Sequence, residues 1–125
     1  RYRNNYRKSG EGFLESWPIN TILFGWIVTL REGGSLDAHM HKQGWLSGSV
    51  YLKIPPSLDS SQGNIVFDLD GDNYPRGGGR YPQKELNVKT GDIVLFPSSI
   101  FHRTVPFYSS EDRVTLAFDL KPIYA

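Results

Sequence analysis

The sequence predicts an all-β chain of some eight short strands, arranged as an antiparallel barrel or a double-sheet jelly roll, the double-stranded β-helix. Aromatic residues make up 14% of its 125 residues, and 13 Gly and 8 Pro stand against a single Met. That mix favours strands joined by tight turns over packed helices. Apolar and β-branched runs of strand length recur between Gly- and Pro-rich turn signals. No stretch carries a helical period, and no segment repeats.

Arg1 to Trp17 is polar, with Ser9-Gly10-Glu11-Gly12 as a loop, and reads as an irregular N-terminal segment. Its cluster of Arg1, Arg3, Arg7 and Lys8 reads as a solvated terminal stretch. Ile22 to Leu30 is rich in β-branched and aromatic residues and predicts a largely buried first strand. Glu32-Gly33-Gly34-Ser35 is a turn, and Leu36 to His41 a short second strand. Trp45 to Ile54 is a third, stopped by Pro55-Pro56, which lack the N–H groups a ladder needs. Leu58 to Gly63 predicts a polar turn, and Asn64 to Asp68 a fourth strand. Gly71 to Pro82, with four Gly, two Pro and two Arg, predicts a long loop, either a lid over a site or a plain excursion between strands. Glu85 to Val88 and Ile93 to Phe96 flank the Thr90-Gly91-Asp92 turn, and Phe101 to Pro106 and Val114 to Leu120 complete the set.

The length suits a single domain over residues 1–125, and a start at Arg rather than Met suggests a domain from a longer chain. A net charge of +1 gives no electrostatic argument for nucleic acid or an anionic membrane as a partner. The absence of Cys excludes a disulfide framework and a thiolate metal site, and suits a reducing, cytoplasmic compartment. No apolar stretch approaches the ~20 residues that span a bilayer.

All three histidines fall in two strand-like segments. His39 and His41 form the H-x-H of Asp37-Ala38-His39-Met40-His41, and His102 follows the Gly-led apolar run Gly91 to Pro97. Residues two apart on a strand share a face, so His39 and His41 can present both imidazoles to one point. An isolated H-x-H also arises by chance. The case strengthens because His102 lies 61 residues later on a segment of matching character, and early and late strands of a jelly roll are neighbours. Three imidazoles would leave positions open for substrate or oxygen, and they suit iron, copper, zinc and nickel alike.

Arg113-Val114-Thr115 places a guanidinium and a hydroxyl on one face, where together they can grip a carboxylate. The alternative is a surface pair of Arg113 with Glu111 or Asp112. Val114, Leu116 and Phe118 alternate with Thr115, Ala117 and Asp119, which predicts one face in the core and the other along a cavity. The Tyr51 phenol can donate to the same carboxylate or serve as an amphipathic core aromatic. Trp45, Phe96 and Phe101 read as packing residues able to shield a metal from water.

Together these residues resemble the iron(II)- and 2-oxoglutarate-dependent oxygenase superfamily, and within it the 2OG-Fe(II) oxygenase branch sometimes joined to tetratricopeptide repeats. The likeness covers nearly the whole chain. It runs through Glu15-Ser16-Trp17-Pro18, Gly33-Gly34 ahead of His39-Met40-His41, Gly44-Trp45-Leu46-Ser47-Gly48 and Val50-Tyr51-Leu52. It continues through Gly91 to Ser98, His102-Arg103-Thr104-Val105-Pro106 and Arg113 to Asp119. The superfamily pattern is H-x-D/E, a later His, then an Arg or Lys that binds the oxoglutarate tail. His39 matches the first His, His102 the last, and Arg113 follows His102 by 11 residues. Arg113 and Thr115 resemble the R-x-S clamp of several members, and Tyr51 a tyrosine that contacts the co-substrate. The resemblance implies Fe(II) on His39, His41 and His102, 2-oxoglutarate on Arg113, Thr115 and Tyr51, and hydroxylation of a substrate with release of succinate and carbon dioxide.

Position 41 departs from the pattern, with His in place of the carboxylate. Three readings follow: a three-His iron site, a two-His site with water in the third place, or an inactive relative. Asp37, on the same strand face, is a further candidate ligand. A cupin is the nearest rival, since Gly33 to His41 and Gly91 to Pro97 fit the starts of its two motifs, but its Glu after His41 and its Gly after Pro97 are missing. It would be a metal-dependent dioxygenase or isomerase that needs neither oxoglutarate nor Arg113. A non-catalytic jelly-roll binding module, with aromatics as stacking platforms, is the third reading.

Overall fold

The computed structural model describes residues 1–56, 59 and 61–124. Among the described residues seven strands form: β1 Thr21–Leu30, β2 Leu46–Lys53, β3 Ile65–Asp68, β4 Lys84–Leu86, β5 Ile93–Pro97, β6 Phe101–Thr104 and β7 Arg113–Pro122. They build a four-stranded sheet of order β1-β7-β2-β5 and a three-stranded sheet of order β4-β3-β6. Every pairing is antiparallel. The all-β jelly roll expected from turn spacing and composition is the fold observed. Of the turn expected over Leu58 to Gly63, Leu58 and Ser60 lie outside the described residues; Asp59 holds the Ser61 N–H at 2.9 Å.

Leu36 to His41 does not form a full strand. It runs beside β6 and makes an isolated bridge between His39 and His102. His39 and His102 exchange backbone hydrogen bonds at 3.1 and 2.9 Å, and the Thr104 N–H reaches Leu36 O at 3.0 Å. The His41 N–H then turns away to Ser98 O at 3.0 Å, which ends the ladder. The segment is still an eighth row of the architecture, and it is the row that brings two distant histidines into register.

The core lies between the sheets, where Tyr51 of β2 and Phe96 of β5 meet Ile65 and Phe67 of β3 and the nearby Val88. Phe67 and Phe96 pack with ring centroids 4.9 Å apart. Burying side chains of this size contributes roughly 1.5–3 kcal/mol each.

Two sequence expectations about the large sheet need correction. On β7 the polar face does run along a cavity, lined by Arg113, Thr115 and Ala117. It is the apolar face that departs from expectation: Arg113, Thr115 and Asp119 are buried, while Val114, Leu116 and Phe118 lie half-buried on the other face rather than in the core. On β1, Leu23 and Ile27 are 67% and 57% exposed, so the strand is not largely buried. Among the described residues β1 pairs with β7 alone, at the sheet margin. In the ladder Ile27 is level with Leu116, which is level with Val50, itself level with Ile93.

The N-terminal segment expected to be irregular carries two short helices, α1 Tyr2–Tyr6 and α2 Gly12–Glu15. Helices this short are marginal alone, so tertiary contacts hold them. Phe13 stacks on Trp45 at 5.7 Å, the Trp45 indole N–H donates to Phe13 O at 3.2 Å, and Leu14 is buried.

Gly48 sits on the central strand of three, level with Phe118 of β7 on one side and Leu95 of β5 on the other. A Cβ here would overlap the Phe118 ring and lie 2.8 Å from Leu95 Cδ2. Gly48→Ala is expected to cost about 1–3 kcal/mol in urea unfolding, and clearly less in a Phe118→Ala background where the ring is gone. Equal costs in the two backgrounds would disprove the steric account.

Candidate metal centre

The His39–His102 bridge sets two imidazoles side by side, with ring centroids 4.4 Å apart. His41, two residues beyond His39, brings its ring to 5.0 Å from that of His102. One ligand atom from each of the three lies within 4.8 Å of the others. The sequence assignment of His39, His41 and His102 to one point therefore matches their placement. Asp37 is exposed and uses its backbone carbonyl on His39 rather than its carboxylate on this group.

Each ring is held through Nδ1. His39 Nδ1 donates to Asp37 O at 2.7 Å, His102 Nδ1 to Ile100 O at 3.2 Å, and His41 Nδ1 to a carboxylate oxygen of Asp119 at 2.6 Å. Carbonyl and carboxylate oxygens only accept, so the proton resides on Nδ1 in the neutral ring and the Nε2 lone pair is free. The Nε2 atoms of His39 and His41 are then 3.3 Å apart, two lone pairs facing each other. A shared cation relieves that contact: ligands about 2.0–2.1 Å from an ion and near right angles are about 3 Å apart. The donor set fits a metal ion on these grounds. Burial, and next the charge of His39, lowers the His102 pKa to about 4, so this ring is neutral and able to ligate near neutral pH.

Beyond the histidines the same cavity runs between the sheets, past Tyr51 and Thr115 to Arg113. Trp26, Val28, Leu36 and Phe96 supply apolar walls. Arg113 is only 3% exposed. Its Nε donates to Gly63 O at 3.2 Å and one terminal nitrogen to Thr115 Oγ1 at 3.0 Å. The guanidinium lies 5.2 Å from the centre of the Tyr51 ring. Among the described residues it has no ion pair; Glu111 is taken by Lys53 at 2.9 Å. The surface pairing of Arg113 with Glu111 or Asp112 is thus not what forms. Tyr51 is 1% exposed, and its buried hydroxyl, beside Ser49 and the Arg113 guanidinium, makes no hydrogen bond of normal geometry among the described residues. Burial raises the Tyr51 pKa, with Arg113 opposing, and lowers that of Arg113. A buried cation without an anion and a phenol beside it that lacks a normal hydrogen bond both call for a ligand carboxylate.

The sequence reading missed Asp119 and Ser47. Strand alternation carried the signal, because Asp119 shares the inward face with Arg113, Thr115 and Ala117, and Ser47 shares one with Ser49 and Tyr51. The long loop is seated at its start, where the Asp72 N–H donates to Ala38 O at 2.9 Å and Tyr74 packs edge-on against Phe101. Lys42 reinforces this, 3.6 Å from Asp72 and 5.3 Å above the Tyr74 ring. The stretch from Asp72 to Arg80 is exposed.

The depressed His102 pKa has a consequence for the metal-free protein. Between about pH 4 and 6.5 the unfolded chain holds a proton on this ring and the folded chain does not. Stability is therefore level above pH 6.5 with respect to this group and falls as pH drops toward 4, by up to about 3 kcal/mol. Urea titrations at stepped pH test this, and His102→Asn is expected to flatten the slope.

No curated protein matches the chain. Among solved structures, a Pseudomonas putida prolyl-4-hydroxylase superposes with a TM-score of 0.61 at 16% identity, covering 81% of this chain and 53% of that one. HygX from Streptomyces hygroscopicus, with nickel and 2-oxoglutarate bound, gives 0.61 at 16%, covering 86% and 61%. A 2OG-Fe(II) oxygenase family oxidoreductase from Burkholderia pseudomallei gives 0.59 at 13%, covering 82% and 46%. The chain thus spans about half to three-fifths of the length of these proteins. The family described as "Putative 2OG-Fe(II) oxygenase" matches residues 25–119, and the chain belongs to that family.

Proposed function

We propose that the protein is an Fe(II)- and 2-oxoglutarate-dependent dioxygenase that hydroxylates a small-molecule or peptide substrate, with release of succinate and carbon dioxide. The observation that carries this reading is Arg113, a buried cation without an anion in the cavity that holds the three imidazoles. Related structures agree with it: HygX is known with iron bound and with nickel and 2-oxoglutarate bound.

In this reading His39, His41 and His102 hold the iron through Nε2, which favours three imidazole ligands over two and a water. Bound iron with its co-substrate supplies oxygen activation and the oxidising power for hydroxylation. Arg113 and Thr115 receive the distal carboxylate of 2-oxoglutarate, and the Tyr51 hydroxyl donates to it. Such charge-assisted bonds count for more in a dry pocket than in water. Trp26, Val28, Leu36 and Phe96 exclude solvent from the space between ion and guanidinium. Trp26, Met40, Lys42 and Lys121 border a second opening beside His41 and Asp119. A cupin reaction would leave Arg113 without a role.

Anaerobic addition of Fe(II) and then 2-oxoglutarate is expected to give the weak visible charge-transfer band of the chelate. Aerobic turnover should yield succinate, and a site that binds metal but never forms the band or succinate would refute the assignment. His102→Ala is expected to abolish Fe(II) binding. Arg113→Ala should weaken 2-oxoglutarate by about 30-fold or more, the cost of about 2 kcal/mol for losing one partner of a buried charge pair, and leave Fe(II) affinity unchanged in calorimetry. Tyr51→Phe should weaken it by about tenfold.

A further inference from the structure

The carboxylate missing at position 41 is present one residue further from the ion. Asp119 stands behind His41, and its Oδ1 accepts the Nδ1 proton at 2.6 Å. The two other imidazoles donate to backbone carbonyls, those of Asp37 and Ile100, so only the histidine that departs from the superfamily pattern is backed by a full negative charge. Asp119 is 5% exposed and, among the described residues, pairs with no Lys or Arg. The Ser47 hydroxyl donates to the same carboxylate oxygen at 2.7 Å and lies 2.7 Å from the Ser98 hydroxyl. Ser47 and Asp119 are Cα partners across β2 and β7, so the backbone ladder itself fixes the carboxylate against the ring. Gly44 keeps the space open: a Cβ there would overlap Ser98 Oγ and lie 3.4 Å from Asp119 Cγ.

We propose that Asp119 is a positioning residue that acts through His41. It holds Nε2 toward the ion and supplies, across the imidazole, the negative charge that a carboxylate ligand would supply in direct contact. A carboxylate on the far nitrogen of a ligating histidine fixes tautomer and orientation and raises ligand basicity, and its loss commonly lowers metal affinity by 10–100-fold. This inference rests on the metal reading above and adds to it a remote partner for one ligand.

The test is a double-mutant cycle read by Fe(II) and Ni(II) affinity under anaerobic conditions, without turnover. Asp119→Asn keeps an acceptor for His41 and Ser47 and removes only the charge. It is expected to weaken metal binding by about 10–100-fold in the native background. In a His41→Asp background, where a carboxylate stands in the ligand position, the same change should alter affinity by less than about threefold, because there is no imidazole to act through. A loss of equal size in both backgrounds, or in neither, would overturn the proposal, since a merely structural role does not depend on which residue occupies position 41. Should Asp119→Asn fail to fold, Ser47→Ala/Asp119→Leu replaces the polar group by apolar ones, and the same background dependence is required of it. Failure of the unsubstituted protein to bind either ion would defeat the metal site itself, a result separable from loss of coupling at an intact site.

Discussion

The reciprocal backbone hydrogen bonds between His39 and His102 are the contact on which the rest of the site depends. A β-bridge is local in space and blind to sequence distance, so two residues on remote segments arrive with their side chains on one face. His41 then needs only strand alternation to join them, although its own N–H has left the ladder for Ser98. Each Nδ1 is satisfied by an acceptor close at hand, which leaves three lone pairs pointing inward with no proton between them. Lone pairs gathered in this way repel one another, and a shared cation removes that repulsion. β6, which carries His102, is fixed from its other side by the β3 ladder.

β7 organises the remainder. Its inward residues run from Arg113 through Thr115 and Ala117 to Asp119, so one strand carries a cation at one end of the cavity and, behind the His41 ring, an anion. Ala117, between them, leaves room rather than filling it. Among the described residues, neither charge is neutralised by a simple ion pair with a long side chain. Arg113 is held by a backbone carbonyl, a hydroxyl and an aromatic face, and Asp119 by an imidazole and a hydroxyl. Groups buried in that way cost desolvation energy that the apolar core has to offset. The clustering of Tyr51, Ile65, Phe67 and Phe96 beside the cavity gives that compensation a location.

Much of this was legible in the residues. The H-x-H, the distant His and the Arg-x-Thr were visible because strand alternation is a two-residue rule that needs no tertiary information, and all three features share a cavity. The failures are equally physical. Ile22 to Leu30 looked buried because hydrophobicity says which residues avoid water but not whether a second layer covers them. The apolar face of β7 was assigned to the core on the same ground, whereas its residues lie half-buried. The short helices near the N-terminus have no period long enough to detect and exist through Phe13 and Trp45. Asp119 is not legible in the same way, because the H-x-D/E pattern places its carboxylate two residues after His39, and the relation of Asp119 to Ser47 appears only once β2 and β7 are in register.

The three imidazoles also differ in what lies behind them, and this makes them unequal as chemical groups. Two ring N–H bonds end on neutral carbonyls and one on a carboxylate at 2.6 Å. A short bond to an anion draws its proton away from the ring. In the proton magnetic resonance spectrum of the metal-free protein, the His41 ring N–H therefore belongs furthest downfield of the three, and that single signal reports on the geometry of the whole constellation.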